Sequence, residues 1–408
     1  MAKNAYLEEK ASQYLERLCR KIDSRRVGSQ GNCQATDFFA ETCASYGFKT
    51  ESLEFECLDW KSGPVVLKAG EENFKAFPGP YSLGWSGTAP LVSAASVEEL
   101  EQVEALDKIL FLHGEPTREQ LMPKNFPFYN PDHHKQIYKL LERKRPLAII
   151  AATSRNPELA GGMYPFPLIE DGDFNIPSVY MTEEEGRSLL PHAGSPVSLS
   201  FSAERIPSLG FNVYARKGRD QGKRLVVCAH IDAKPGTPGA LDNATGIVTI
   251  LLLAELLGEY EGELVVELIS INGEDYYGAN GEIQLVEINR GRFEGIVLAV
   301  NLDAVGYFDG KTLYSFYETP EQLEKAAREV FAGYEGIERG EQWYQGDHSV
   351  FIQNGCPAVA ITSQKFMELS TFITHTEKDR PELVDRGKLV EVALALKELV
   401  EKIDLVIP

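Results

Sequence analysis

The chain is 408 residues long, 43% hydrophobic and 25% charged, which suits one large globular domain or two ordinary ones with ample core. Its net charge of −20 argues against a nucleic-acid or anionic-membrane partner, since neutralising phosphates needs a surplus of Lys and Arg. Six scattered cysteines (Cys19, Cys33, Cys43, Cys57, Cys228, Cys356) form no Cys-x-x-Cys pair, so they read as free thiols in a reducing compartment rather than a disulfide frame or a thiolate zinc site.

The opening MAKNAYLEEK has no apolar run of the secretory kind, so the expected location is cytoplasmic, with a processed secreted form as the alternative. Leu7, Ala11, Tyr14, Leu15, Leu18 and Ile22 then share one face of a helix. GSQGN opens a second helix through Phe38, Phe39 and Cys43, which Gly47 ends. FKTESLEFECL reads as a strand, with Leu53, Phe55 and Cys57 alternating. After about residue 60 a Pro/Gly-rich passage, FPGPYSLGWSGTAP, leads to KILFL, a long loop, the helix HHKQIYKLLERKR, and the runs LAIIAA and IPSVYM. This block has its own β-α-β order and reads as an insertion. His133-His134 looks like a metal pair, but adjacent residues do not share a helix face, and both are expected to be solvated.

From about residue 206 strands and helices alternate strongly: RLVVCAH, IVTILLLAELL, ELVVELISI, IVLAVNL, EQLEKAAREVFAGY, PAVAIT and KLVEVALALKELVEKI. The apolar run ILLLAELL is too short to span a membrane. The fold class is therefore α/β, a mostly parallel or mixed sheet with helices on both faces.

Such sheets place chemistry beyond the carboxyl ends of their strands. Here RLVVCA ends at His230, ELVVELISING at Glu274-Asp275 and IVLAVNL at Asp303. The loop after the first of these strands supplies Asp242, and ITHTEKD supplies His375. Two imidazoles and three carboxylates suit a pair of zinc ions sharing one carboxylate. Paired metals activate a water between them and stabilise a tetrahedral oxyanion. Glu274, beside the ligand Asp275, is placed to take the proton from that water. Any one of these residues is more often a solvated or packed group; their recurrence at successive strand ends is what carries weight.

In this order, His-x-Asp, Leu-Asp-Asn-Ala-Thr-Gly, Asn-Gly-Glu-Asp, Asn-Leu-Asp, Gly-Asp-His-x-x-Phe and a late His-x-x-x-Asp, the chain resembles the M28 co-catalytic zinc peptidases of aminopeptidase type. The resemblance covers roughly residues 1–60 and 206–408, with Arg26-x-Gly28-Ser29 near the start. It implies one zinc on His230 and Asp303, the other on Asp275 and His375, and Asp242 bridging. Glu274 would be the general base, and Asp232 would hold the tautomer of His230. A cis peptide between Asp242 and Asn243 is also implied. Asp275 stands where Glu is frequent, and Thr374 where many relatives have Tyr as an oxyanion donor, with Tyr344 and Tyr276 as substitutes. His348 is expected to be structural rather than a ligand. Residues 61–205 resemble the protease-associated (PA) domain that several M28 peptidases carry, either walling the cleft or lying over it as an inert lid.

The expected activity is removal of the N-terminal residue from peptide substrates. A carboxypeptidase of the same family would need Arg or Lys at the site, and Lys234 and Arg380 are the candidates nearby. A glutaminyl cyclase on this fold commonly binds one zinc and lacks the insertion. A non-catalytic binding protein on the scaffold would have lost ligands or base, and this chain keeps all six.

Overall fold

The computed structural model describes residues 2–155, 160–219 and 222–406. Two helical segments, Ala2–Glu16 continued by Arg17–Lys21, and Gln30–Ser45, precede the first strand. Ser29 caps the second, its Oγ accepting the Asn32 N–H at 3.1 Å.

The strands, in chain order, are β1 (Lys49–Ser62), β2 (Val66–Ala69), β3 (Glu72–Phe74), β4 (Phe77–Pro78), β5 (Trp85–Ala94), β6 (Ile109–Leu112), β7 (Ala148–Thr153), β8 (Ser178–Thr182) and β9 (Pro196–Phe201). They continue with β10 (Ala203–Lys217), β11 (Arg224–His230), β12 (Val265–Ile271), β13 (Ile296–Leu302), β14 (Thr312–Tyr317), β15 (Ile337–Arg339) and β16 (Ala358–Ser363).

Among the described residues they form two eight-stranded sheets. The first has the order β1-β10-β12-β11-β13-β16-β14-β15. Its centre, β12-β11-β13-β16, is parallel, while β1 and β10 on one side and β14 on the other run antiparallel. Strands β11 and β12 are buried along almost their whole length, which is why they read as continuous Val/Ile/Leu runs. The helices Thr245–Leu256 and Arg386–Val406 bury Ile247, Leu251, Leu396 and Leu399 in the same core. None of the helices in the described residues is long and apolar enough to cross a membrane.

The second sheet, β3-β2-β9-β5-β6-β7-β8-β4, uses only residues between Val66 and Phe201 and has its own buried clusters. The chain leaves for it at the end of β1 and returns at the start of β10. Those two strands pair antiparallel from Lys49↔Arg216 to Ser62↔Ala203. A long two-stranded arm thus closes the excursion. The six cysteines are unpaired.

Candidate metal centre and cleft

Parallel pairing aligns the strand ends that carry the chemistry. His230 lies opposite Ile271 in the register of β11 and β12, so the Glu274-Asp275 loop emerges beside it. Cys228 pairs with Asn301, which puts Asp303 one step beyond the neighbouring strand end. The turn Ala240–Ala244 brings in Asp242, and the chain after the helix Phe366–Phe372 brings in His375.

Asp242 offers a different oxygen to each histidine. His230 Nε2 is 3.1 Å from Oδ1, and His375 Nε2 is 3.1 Å from Oδ2. His375 Nε2 is also 3.1 Å from Asp275 Oδ1. Ligand atoms within 4.8 Å of one another form the sets His230/Asp242/Asp303 and Asp242/Asp275/His375, which share Asp242, and also His230/Glu274/Asp275. Tetrahedral sites with bonds of about 2.0–2.1 Å have edges of about 3.3 Å, close to these spacings. Both ring nitrogens of His230 and Oδ2 of Asp275 are buried without a hydrogen-bond partner. Buried polar atoms rarely stay unpaired, so the donor set fits divalent cations.

The electrostatics agree. Burial alone would lower His230 and His375, but the facing carboxylates outweigh it and hold both imidazoles well above their ordinary range. Burial raises Asp242, yet the two histidines win and keep it well below the usual carboxylate range. Burial and mutual repulsion push Asp303 up to about 7 and Glu274 up to about 8, against the opposing pull of His230. So many acids in one place call for positive charge.

The backbone under these groups is held by residues distant in sequence. Asp379 accepts the Leu241 N–H at 2.7 Å and the Asp242 N–H at 3.0 Å. Asn243 donates to the Leu302 carbonyl at 2.7 Å, and the Asp242–Asn243 peptide is cis. Buried Arg25 donates to the carbonyls of Ile231, Leu18, Pro238 and Gly239 at 2.7–2.9 Å, gripping the loop between His230 and Asp242.

Asp232 plays a different part from the one expected. Its Oδ1 lies 3.7 Å from His230 Nδ1, too long for a hydrogen bond. Instead it accepts the N–H groups of Gly273 and Asp275 at 2.7 and 3.0 Å, fixing the loop that carries Glu274. His348 is fully buried, with Nε2 donating to the Trp343 carbonyl at 2.8 Å and Nδ1 facing the Asn301 amide at 3.4 Å. Both nitrogens are used, and burial lowers its pKa to about 4. Of the two tyrosines, Tyr344 is exposed and donates to Gln342, while the Tyr276 hydroxyl accepts the Leu58 N–H.

These groups open into a cleft of about 330 Å³. The stretch between β1 and β10 contributes directly to its wall through Leu121, Met122, Phe126, Gly161 and Glu170. Glu170 binds Lys234, the one Lys or Arg among the described residues lining the cleft. Arg380, whose Nε donates to Glu377, does not line it. The His133-His134 expectation is corrected in part. His133 is exposed, but His134 is 1% exposed, because the segment around Met122 folds over it.

Residues 212–400 match the family model for peptidase family M28. The chain is 25% identical over 336 residues to "Probable lipoprotein aminopeptidase LpqL" of Mycobacterium tuberculosis, a match covering 78% of this chain and 62% of that protein. Among solved structures, an aminopeptidase from Aneurinibacillus sp. strain AM-1 superposes with a TM-score of 0.74 at 20% identity, over 96% of this chain and 93% of the other. BSAP, a zinc aminopeptidase from Bacillus subtilis, gives 0.75 at 18%, over 97% and 94%. At these identities the two structures show a shared fold.

Proposed function

Because the chain carries a domain of peptidase family M28 over residues 212–400, we propose that it is a two-zinc aminopeptidase that removes N-terminal residues from peptides. The observation that carries this reading is Asp242, which turns one carboxylate oxygen toward each histidine while Glu274 borders the open cleft. His230 and Asp303 would hold one ion, Asp275 and His375 the other, with Asp242 shared. When bound, such ions supply Lewis acidity toward water and toward the scissile carbonyl.

The protein groups do the rest. Glu274 takes the proton of the attacking water and returns it to the departing amine. Asp232 keeps Glu274 in place through the loop N–H groups it accepts. The cleft is lined by Glu170, Asp242, Glu274, Asp275 and Asp303, an acidic surface suited to a substrate ammonium. A carboxypeptidase needs a free cation, and Lys234 is taken up by Glu170. Residues 61–205 we read as a PA-like insertion that walls this cleft.

The test is paired hydrolysis of an unblocked dipeptide and its N-acetyl form by zinc-loaded protein. The unblocked peptide should be cut and the acetylated one spared; equal cleavage would overturn the polarity.

A further inference from the structure

Between the turn at Glu115–Thr117 and the helix Asp132–Lys144 the chain has no regular structure, yet Gln120, Leu121, Met122, Pro123 and Phe126 line the cleft. An irregular segment makes a defined wall only if something fixes its backbone. The Leu121 N–H donates to the Leu168 carbonyl at 2.9 Å and the Lys124 N–H to Asp171 Oδ2 at 2.7 Å. Between them the Met122 N–H donates to Nδ1 of buried His134 at 3.0 Å.

That bond decides the tautomer. With Nδ1 accepting, the ring proton sits on Nε2, which faces Glu119 Oε1 at 3.3 Å. His133 Nε2 approaches the same oxygen at 2.8 Å. The three residues have the composition of a metal site, but the nitrogen turned to Glu119 carries hydrogen, and a ligating histidine normally donates from its other nitrogen. His134 is therefore a strut that accepts from the wall through Nδ1, while its Nε2 lies 3.3 Å from Glu119 Oε1 outside hydrogen-bond geometry. Burial lowers its pKa, which keeps it in this form.

We propose that residues 120–126 form the specificity wall for an apolar N-terminal side chain and that His134 is its positioning residue. Leu121, Met122 and Phe126 supply apolar surface from the insertion, and Phe366 and Met367 supply it from the catalytic unit. Removing the acceptor leaves the Met122 N–H without its partner and lets the middle of the wall move. The proposal rests on the aminopeptidase reading for its kinetic arm only.

The experiment compares wild type, His134→Ala and His134→Asn, all zinc-loaded, on leucyl and glycyl p-nitroanilides. Asn Oδ1 reaches about as far as His Nδ1 and should accept the same N–H. In His134→Ala the leucine-to-glycine ratio of kcat/KM should fall about tenfold, through KM, and His134→Asn should restore most of it. Phe126→Ala, which leaves the strut intact, should lower the same ratio. Calorimetric binding of leucinamide and glycinamide should give the same order without turnover. If wild type hydrolyses neither anilide, the functional reading fails and the binding ratio alone decides the wall. A ratio unchanged in folded His134→Ala and in Phe126→Ala, or an Asn variant no better than Ala, overturns the proposal.

Discussion

Lys234, partly buried, and Glu170, buried, form an ion pair at the cleft, with Nζ 3.1 Å from Oε1 and 3.2 Å from Oε2. Lys234 follows β11 four residues after His230, whereas Glu170 belongs to the stretch between β7 and β8 of the second sheet. Glu170 also accepts from Gln120 Nε2 at 3.1 Å. The pair therefore joins the two units that carry the sheets where both line the cleft. It also neutralises the one Lys or Arg that lines the cleft among the described residues.

Breaking that pair should cost more than deleting it. Glu170→Gln leaves a largely desolvated ammonium without its counter-charge, and about 2 kcal/mol of unfolding free energy should be lost in urea titrations. Lys234→Met with Glu170→Met removes both charges and should recover most of that loss. Equal destabilisation by the single and double variants would show that the pair is not the cause.

Metal content tests the shared carboxylate. Elemental analysis after zinc dialysis should give about two ions per chain. Asp242→Ala should lose both, since His230 and His375 approach opposite oxygens of that one side chain. An Asp242→Ala protein holding one tight ion would show that the two sites are independent.

The strand-end chemistry was legible because parallel pairing leaves a local trace. His230 ends a buried apolar run, Asp303 follows one directly and Glu274-Asp275 follows one after Asn272-Gly273, so sequence order predicts spatial neighbourhood. The residues that escaped notice act over long separations. Arg25 binds carbonyls more than two hundred residues away, and nothing in SRRVG marks one of two arginines as buried. Glu170 sits in IEDGD, a run that reads as solvated charge. Strand β10 leaves little trace in the sequence because its first half, paired to β1 on the sheet edge, alternates only weakly in burial. The antiparallel β1, β10 and β14 make the sheet mixed, one of the two forms that the alternation of strands and helices allowed.

Gly161 should be intolerant of any side chain. It has a φ of +58° in the left-handed region, and an added Cβ would lie 2.9 Å from both His375 Nδ1 and Thr374 Oγ1. Gly161→Ala should push His375 from its place, weakening zinc binding at least tenfold by competition with a chelator while circular dichroism stays native. Unchanged affinity would mean the loop yields instead.

The fully buried His348 predicts a pH dependence of stability. Its pKa falls from about 6.5 unfolded to about 4 folded, chiefly through burial, so the native state favours the neutral ring. The contribution is complete above about pH 6.5 and is lost as pH falls toward 4, amounting to about 3 kcal/mol. It is read as the difference in unfolding free energy between wild type and His348→Gln at each pH, which cancels the neighbouring acids common to both. A difference that stays constant from pH 7 to 4 would remove His348 as the titrating group.

Glu274 isolates the chemistry from the fold. It adjoins Asp275 and borders the cleft, and burial pushes its carboxyl up to about 8, so it holds a proton more readily than a solvated glutamate. Two bound cations would pull that value down again, and a shuttle between water and amine works best between those extremes. Glu274→Gln keeps the shape and the hydrogen-bonding reach but cannot accept the proton. Zinc content should stay near normal while kcat drops about a hundredfold or more, with the pH-rate profile losing its acidic limb. Asp275→Asn should behave differently, losing affinity for one ion together with activity, because His375 Nε2 lies 3.1 Å from its Oδ1. A metal-replete Glu274→Gln enzyme that keeps most of its kcat would remove Glu274 from the mechanism, whatever the fold.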